Sequence, residues 1–324
     1  MGYTVFKQNK SEYNVLLKDI EGSIYHNGQV LNEQQLKRIK FYTIQSTIVN
    51  KWFATLRGSK IAEEEKRYAL YLGALTPLFD DLTDSGSYNA KAILTAWDKR
   101  SNDNSSTEIV AGRYLYNKLL ENTNPGFVTC SARVLEAQDE SMQQMKPAPL
   151  SFSSLKTITF KKGAASTMLG RSILLHPLLA GEEEAICQLG YLLQLTNDVF
   201  DVHKDYTGNQ QTMVTNSDNI STLFDEYKQG WKEVTSKFFN LDYDQKNVTK
   251  FLLQVSTILA RGYIAFEQLL QCQLRTGNQF NPSLYKRKEL ICDMEKPVNL
   301  KRSIKITANY FERIRKGIFG VNGI

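Results

Sequence analysis

Between Gln188 and Asn209 the chain reads QLGYLLQLTNDVFDVHKDYTGN, an apolar run in which oxygen-bearing side chains recur at a fixed interval. Asn197, Asp201 and Asp205 stand four apart. On an α-helix each step of four drifts only about 40°, so the spacing predicts a helix with these three side chains in one stripe. Carboxylates at i and i+4 repel each other, so Asp201 and Asp205 do not serve the stability of the helix that carries them. A hard divalent ion such as Mg²⁺ takes oxygen ligands and is often shared between one or two carboxylates and a phosphate. The stretch therefore reads as half of a cation site.

Elsewhere the helical period repeats. Asn32 stands in N-cap position before Leu36, Ile39, Ile44, Ile48, Phe53 and Leu56, a pattern that ends near Gly58. Glu63, Glu64 and Glu65 fall in the first turn of the next helix, where they suit the dipole, and Pro77 lies inside it. Further helices are expected at Ala90 to Asp98, Thr107 to Glu121 (with Ser105 and Glu108 at capping-box spacing), Cys130 to Met145 and Leu155 to Leu175. After the opening stretch come Leu223 to Phe239, Gln245 to Leu274 and Lys301 to Ile318. No segment sustains an alternation of period two. The expected fold is all-α, a single helical domain over residues 1–324 with 1–30 as a peripheral N-terminal segment.

Composition narrows the class. Hydrophobic residues at 42% and charged ones at 23% exclude disordered and collagen-like chains. No uninterrupted apolar run is long enough to span a bilayer. The start, MGYTVFKQNKSEY, has neither the pattern of a signal peptide nor, with Phe6 where Ser or Thr is needed, that of a myristoylation site. A cytoplasmic protein is expected. Cys130, Cys187, Cys272 and Cys292 form no C-x-x-C pair and read as free thiols. The net charge of +6 reads as modest and distributed, which favours small anions over nucleic acid.

A second acidic motif, FDDLTDS, supplies the other half. Asp80 and Asp84 share a helix face and Asp81 is turned about 100° away. Both motifs follow long apolar segments, where unpaired carboxylates are costly unless a cation compensates. The pair predicts a shared metal and diphosphate clamp. Basic residues should complete it: Lys156, then Lys161 and Lys162 about one turn further, and Arg67 on the helix that ends in the first motif. Gly163 and Gly170 each cost the Lys161 helix about 1 kcal/mol relative to Ala. A close approach by substrate or a neighbouring helix, or plain packing, explains them.

These residues resemble the class I isoprenoid synthases, most strongly the squalene and phytoene synthases. Gln194, Leu195, Thr196, Asn197, Asp201, Val202 and Asp205 match that family's Q-L-T-N, three residues, D-V, two residues, D signature. LGALTPLFDDLT is similar to its first acidic helix, and KKGAASTMLGRSIL to the small-residue helix before the second. Where the family continues into R-x-Y-L-P, this chain has YTGNQQTMV. Lys156 and Thr157 resemble the Lys-Thr pair of chain-elongating prenyl diphosphate synthases, and Asn197, Asp198 and Asp201 their second D-D-x-x-D. The stripe of Asn197, Asp201 and Asp205 is also similar to the N-D-x-x-S-x-x-x-E triad of terpene cyclases.

The resemblance implies a helical bundle with a central active-site cavity, more than one Mg²⁺, and prenyl diphosphate substrates. Asp80, Asp84, Asp201 and Asp205 would be catalytic. With Asp81, Asn197 and Asp198 they would bind metal, and Gln194 would join the basic residues at the diphosphate. The implied activity is a prenyltransferase. A terpene cyclase and a non-catalytic isoprenoid- or partner-binding protein are the alternatives, and a homodimer and peripheral membrane association are further candidates.

Overall fold

The computed structural model describes residues 10–25, 27–84, 86, 88–121, 124 and 126–317. Within them the fold is all-α, with no strand. In chain order the helices are α1 (Lys10–Tyr25), α2 (Glu33–Arg57), α3 (Glu63–Asp84), α4 (Ala90–Trp97), α5 (Thr107–Leu120) and α6 (Gly126–Ser141). There follow α7 (Phe152–Ser172), α8 (Glu182–Thr207), α9 (Ile220–Phe239), α10 (Gln245–Arg275), α11 (Arg287–Leu290) and α12 (Pro297–Arg315). Two compact units emerge, Met1–Asp139 with Leu169–Pro177, and Glu140–Met168 with Leu178–Ile324. No helix among the described residues is long and apolar enough to cross a membrane. Cys130, Cys187, Cys272 and Cys292 form no disulfide.

The first unit is organised by α2 and α3. Asn32 caps α2 and Gly58 closes it at φ 77°, as the sequence pattern predicts, and the Gln35 side chain accepts in return from the Asn32 N–H. Gly73 of α3 lies on the backbone of α2, where a Cβ would fall 2.5 Å from Thr43 Cα. This contact sets the two helices antiparallel and brings Arg38 and Tyr42 to the end of α3 that bears the first acidic motif. The N-terminal segment is not peripheral throughout. Leu16, Ile20 and Ile24 of α1 are buried in this unit's core with Leu78, Ile109 and Leu115, because they recur at helical spacing in an otherwise polar stretch. The α5 cap also differs from expectation: Ser106, not Ser105, accepts from the Ile109 N–H, and Glu108 instead receives the Gln35 amide at 2.6 Å.

Glu65 does more than suit a dipole. It is 1% exposed and bonds both arms of Arg57 at 2.6 and 2.7 Å, the Ala62 N–H at 2.8 Å and the Leu175 N–H at 3.0 Å. Burial alone would raise its carboxyl; the bonds from Arg57, Ala62 and Leu175 outweigh this and hold it at about 2. His176 continues the network between Arg57 at 2.8 Å and the buried Arg171 at 2.9 Å.

In the second unit α8 packs on α9 and α10, and α12 lies along α10. At the crossing of α7 and α8 two glycines meet: a Cβ on Gly163 would lie 2.6 Å from the Gly190 carbonyl carbon, and the reverse substitution is equally close. The backbone approach assigned to Gly163 thus belongs to a neighbouring helix. Gly170 meets only Val49 at an ordinary 3.7 Å. A further close approach places Gly262 of α10 against Thr196 and Tyr227, whose hydroxyls share a bond of 2.9 Å. The Tyr227 hydroxyl donates to the Leu259 carbonyl at 2.9 Å. The YTGNQQTMV segment is held by Gln211, which donates to the carbonyls of Lys146 and Ala148 and accepts from the Leu150 N–H.

Candidate functional site

The second acidic motif lies on α8 in a graded series set by helix geometry. Taking Asp198 as zero, Asp205 falls about 20°, Asp201 about 60° and Asn197 about 100° away in the same sense around the axis. Burial follows these angles. Asp198 and Asp205 are 5% and 6% exposed, Asp201 is half-buried and Asn197 faces solvent. The stripe legible as Asn197, Asp201 and Asp205 therefore runs from the exposed edge of the face inward to Asp205, beside the buried Asp198.

That face is assembled locally. The Gln194 amide donates to Asp198 Oδ1 at 2.8 Å and the Thr159 hydroxyl of α7 to Oδ2 at 3.4 Å. Burial pushes the Asp198 carboxyl up to about 6, although Gln194, the Lys162 charge and Thr159 oppose it. Burial and the charges of Asp198 and Asp201 push Asp205 up to about 7. Lys162 is half-buried and, among the described residues, has no carboxylate within 4 Å, so it acts on both acids at longer range. Among the described residues Asp201 has only a 3.9 Å pairing with the exposed Lys204. The remaining motif residues are structural: Leu195 is fully buried and Thr196 bonds Tyr227.

The first motif has a different character. Arg38 pairs with Asp81 through one arm and reaches Asp80 with the other at 3.5 Å, while Tyr42 donates to Asp80 at 3.2 Å. Burial, then the Asp80 charge, raises the Tyr42 hydroxyl. These carboxylates carry their own counter-charge. The side chain of Asp84 lies outside the described residues. Arg38 and Tyr42 were missed in the sequence, although their i, i+4 spacing on α2 was a readable signal.

The expected diphosphate-binding residues separate into two groups. Gln194 and Lys162 join the α8 acids. Lys156 pairs with Glu226 at 2.8 Å, which also accepts from Tyr191, and Lys161 forks onto Glu140 at 2.7 and 2.8 Å. Arg67 is exposed and stands thirteen residues before Asp80 on α3, about 20 Å along the axis, too far for both to hold one diphosphate. Among the described residues no three His, Cys, Asp or Glu side chains are gathered as a ready metal site. The donor chemistry of α8 nevertheless suits a hard cation, being all oxygen with two acids buried beside a third.

A pH effect follows. Asp198 and Asp205 have folded values above their ordinary 3.8, so the stability they contribute is full below that value and is lost as pH rises through about 6 to about 7. Without divalent ions the melting temperature should climb as pH falls from about 8 to about 5. Asp205→Asn should raise it at the alkaline end and flatten the profile. An unchanged profile in that variant would show that Asp205 is not a buried, repelled carboxylate.

No protein-family model, no curated protein and no solved structure matches this chain.

Proposed function

We propose that the chain is a Mg²⁺-dependent prenyltransferase with a class I isoprenoid synthase type of helical fold, ionising an allylic prenyl diphosphate and joining it to a second isoprenoid. The observation that carries this reading is the α8 face, where Asp205 and Asp201 of the Q-L-T-N…D-V…D pattern, one buried and one half-buried, turn with the buried Asp198 toward one side of the helix. Asp201 and Asp205, with Asn197 at the open edge, would hold the metal, and Gln194 and Thr159 fix the orientation of Asp198. Bound Mg²⁺ would supply Lewis acidity to the departing diphosphate. Lys162 adds positive charge beside these acids, where a diphosphate would need it. Asp80 and Asp81 would hold a cation only by releasing Arg38.

The purified protein should release pyrophosphate from geranyl, farnesyl or geranylgeranyl diphosphate in the presence of Mg²⁺, and Asp201→Asn should abolish that release with helicity retained. No release from any of the three would sink the proposal. The pairing of Arg38 with both acids of the first motif favours a second reading, a non-catalytic isoprenoid-binding protein. Calorimetry would favour it by recording prenyl diphosphate binding that is indifferent to Mg²⁺, without turnover.

A further inference from the structure

The net charge of this chain is not distributed. Residues 1–283 hold thirty basic and thirty acidic side chains, whereas residues 284–324 hold ten basic and four acidic, so the final stretch alone accounts for the whole +6. The structure places this surplus on one strip of the second unit. The Glu289 and Ile291 carbonyls accept from Gln268, Arg302 pairs with Glu267, and Thr307 donates to the Ser256 carbonyl at 3.5 Å, so the chain around α11 and α12 follows one stretch of α10. That stretch, Ser256 to Arg275, is about 28 Å long.

Two kinds of side chain face outward from it. Lys286, Arg287, Lys288, Lys296, Lys301 and Lys305 are exposed and, among the described residues, have no carboxylate within 4 Å. The acids of the same stretch are partly engaged, Glu289 by Arg275 and Glu312 by Arg315, while Asp293 and Glu295 remain to offset the surplus. Between the basic residues stand large aliphatic side chains in water: Leu284, Val298 and Ile304 are 60–61% exposed and Leu300 is 47% exposed. On α12 the inner face is Ser303, Ile306, Tyr310 and Ile314, so Lys301, Ile304 and Lys305 belong to the outer one and Leu300 to its flank.

We infer that this strip docks on an anionic phospholipid surface. Lysines near such a surface gain from its negative potential, and aliphatic side chains beside them gain by entering the headgroup boundary. Neither gain requires a membrane-spanning segment. Nucleic acid fits less well, because it would pair the basic residues with stacking aromatics, and Tyr285 is instead stacked on Phe280. The inference is independent of the proposed enzymatic activity; a chain inert toward prenyl diphosphates would still partition.

The full chain should co-sediment with phosphatidylcholine vesicles that contain phosphatidylserine, far less with phosphatidylcholine alone, and the binding should fall with salt. Combining Lys288→Gln, Lys301→Gln and Lys305→Gln should lower the partition about a hundredfold. Leu300→Ser with Ile304→Ser should lower it at both low and high salt. All five positions are exposed, and circular dichroism checks that the fold persists; the salt and lipid dependence of the unaltered protein needs no variant. Absence of binding, equal binding to neutral vesicles, or an unaffected lysine variant would overturn the inference. So would duplex DNA bound in place of vesicles with no effect of the serine substitutions.

Discussion

Gly163→Ala is expected to destabilise the protein by about 3 kcal/mol or more, because the added methyl meets backbone rather than a side chain that can turn aside. The new Cβ would lie 2.6 Å from the Gly190 carbonyl carbon and closer still to its oxygen, and 2.9 Å from Gln194 Cβ. Relief requires α7 and α8 to separate, which would draw Thr159 from Asp198 and loosen the face that carries the candidate site. Gly190→Ala meets the reciprocal obstacle. Gly170→Ala on the same helix is the control. Its nearest neighbour is 3.7 Å away, so the better helix propensity of Ala should leave it neutral or stabilised by up to about 1 kcal/mol. Urea titration should lower the midpoint for Gly163→Ala and leave it unchanged or raised for Gly170→Ala. Equal small effects would mean that the helices do not cross backbone to backbone.

The second large effect concerns Glu65. Glu65→Ala leaves Arg57 without its two-armed partner and strips an acceptor from two backbone N–H groups, at a cost of about 3–5 kcal/mol. Combining Glu65→Gln with Arg57→Gln should cost less than the separate effects added together, since neither charge is then buried alone. The folded Glu65 carboxyl lies at about 2, below its ordinary 4.5, so its contribution is full above the ordinary value and is lost as pH falls toward about 2. The α8 acids act in the opposite sense near neutrality. Metal-free stability should therefore peak in mildly acidic solution. In Glu65→Gln the acid limb should be shallower, and denaturation monitored across pH would reveal a carboxylate of no consequence if that limb were unaltered.

Much of the fold was legible because local rules carried it. The Asn32 cap, the helix end at Gly58 and the apolar periods of α8 to α10 depend on residues within a few positions of one another, so spacing alone predicts them. The α1 helix was overlooked because its apolar face is narrow and polar residues surround it. Confusing Ser105 with Ser106 moved a cap by one residue: both are hydroxyls near the helix start, and only the chain path around Asp103 and Tyr88 tells them apart.

For the candidate site the division is sharper. The spacing in QLTNDVFDVHKD was enough to put the acids of α8 on adjoining faces of one helix, since that follows from 3.6 residues per turn. Which of them is buried depends on how α8 is rotated against α7. The contact of Gly163 with Gly190 and the bond from Thr159 turn Asp198 inward and leave Asn197 in water. Ion pairing is likewise nonlocal. Arg38 reaches Asp80 and Asp81 from another helix, and Lys156 and Lys161 are taken by Glu226 and Glu140. The sequence by itself determined the helices and the supply of acids and bases, because both reside in local order. Tertiary structure alone decided which charges meet, because partners distant along the chain are selected by helix packing.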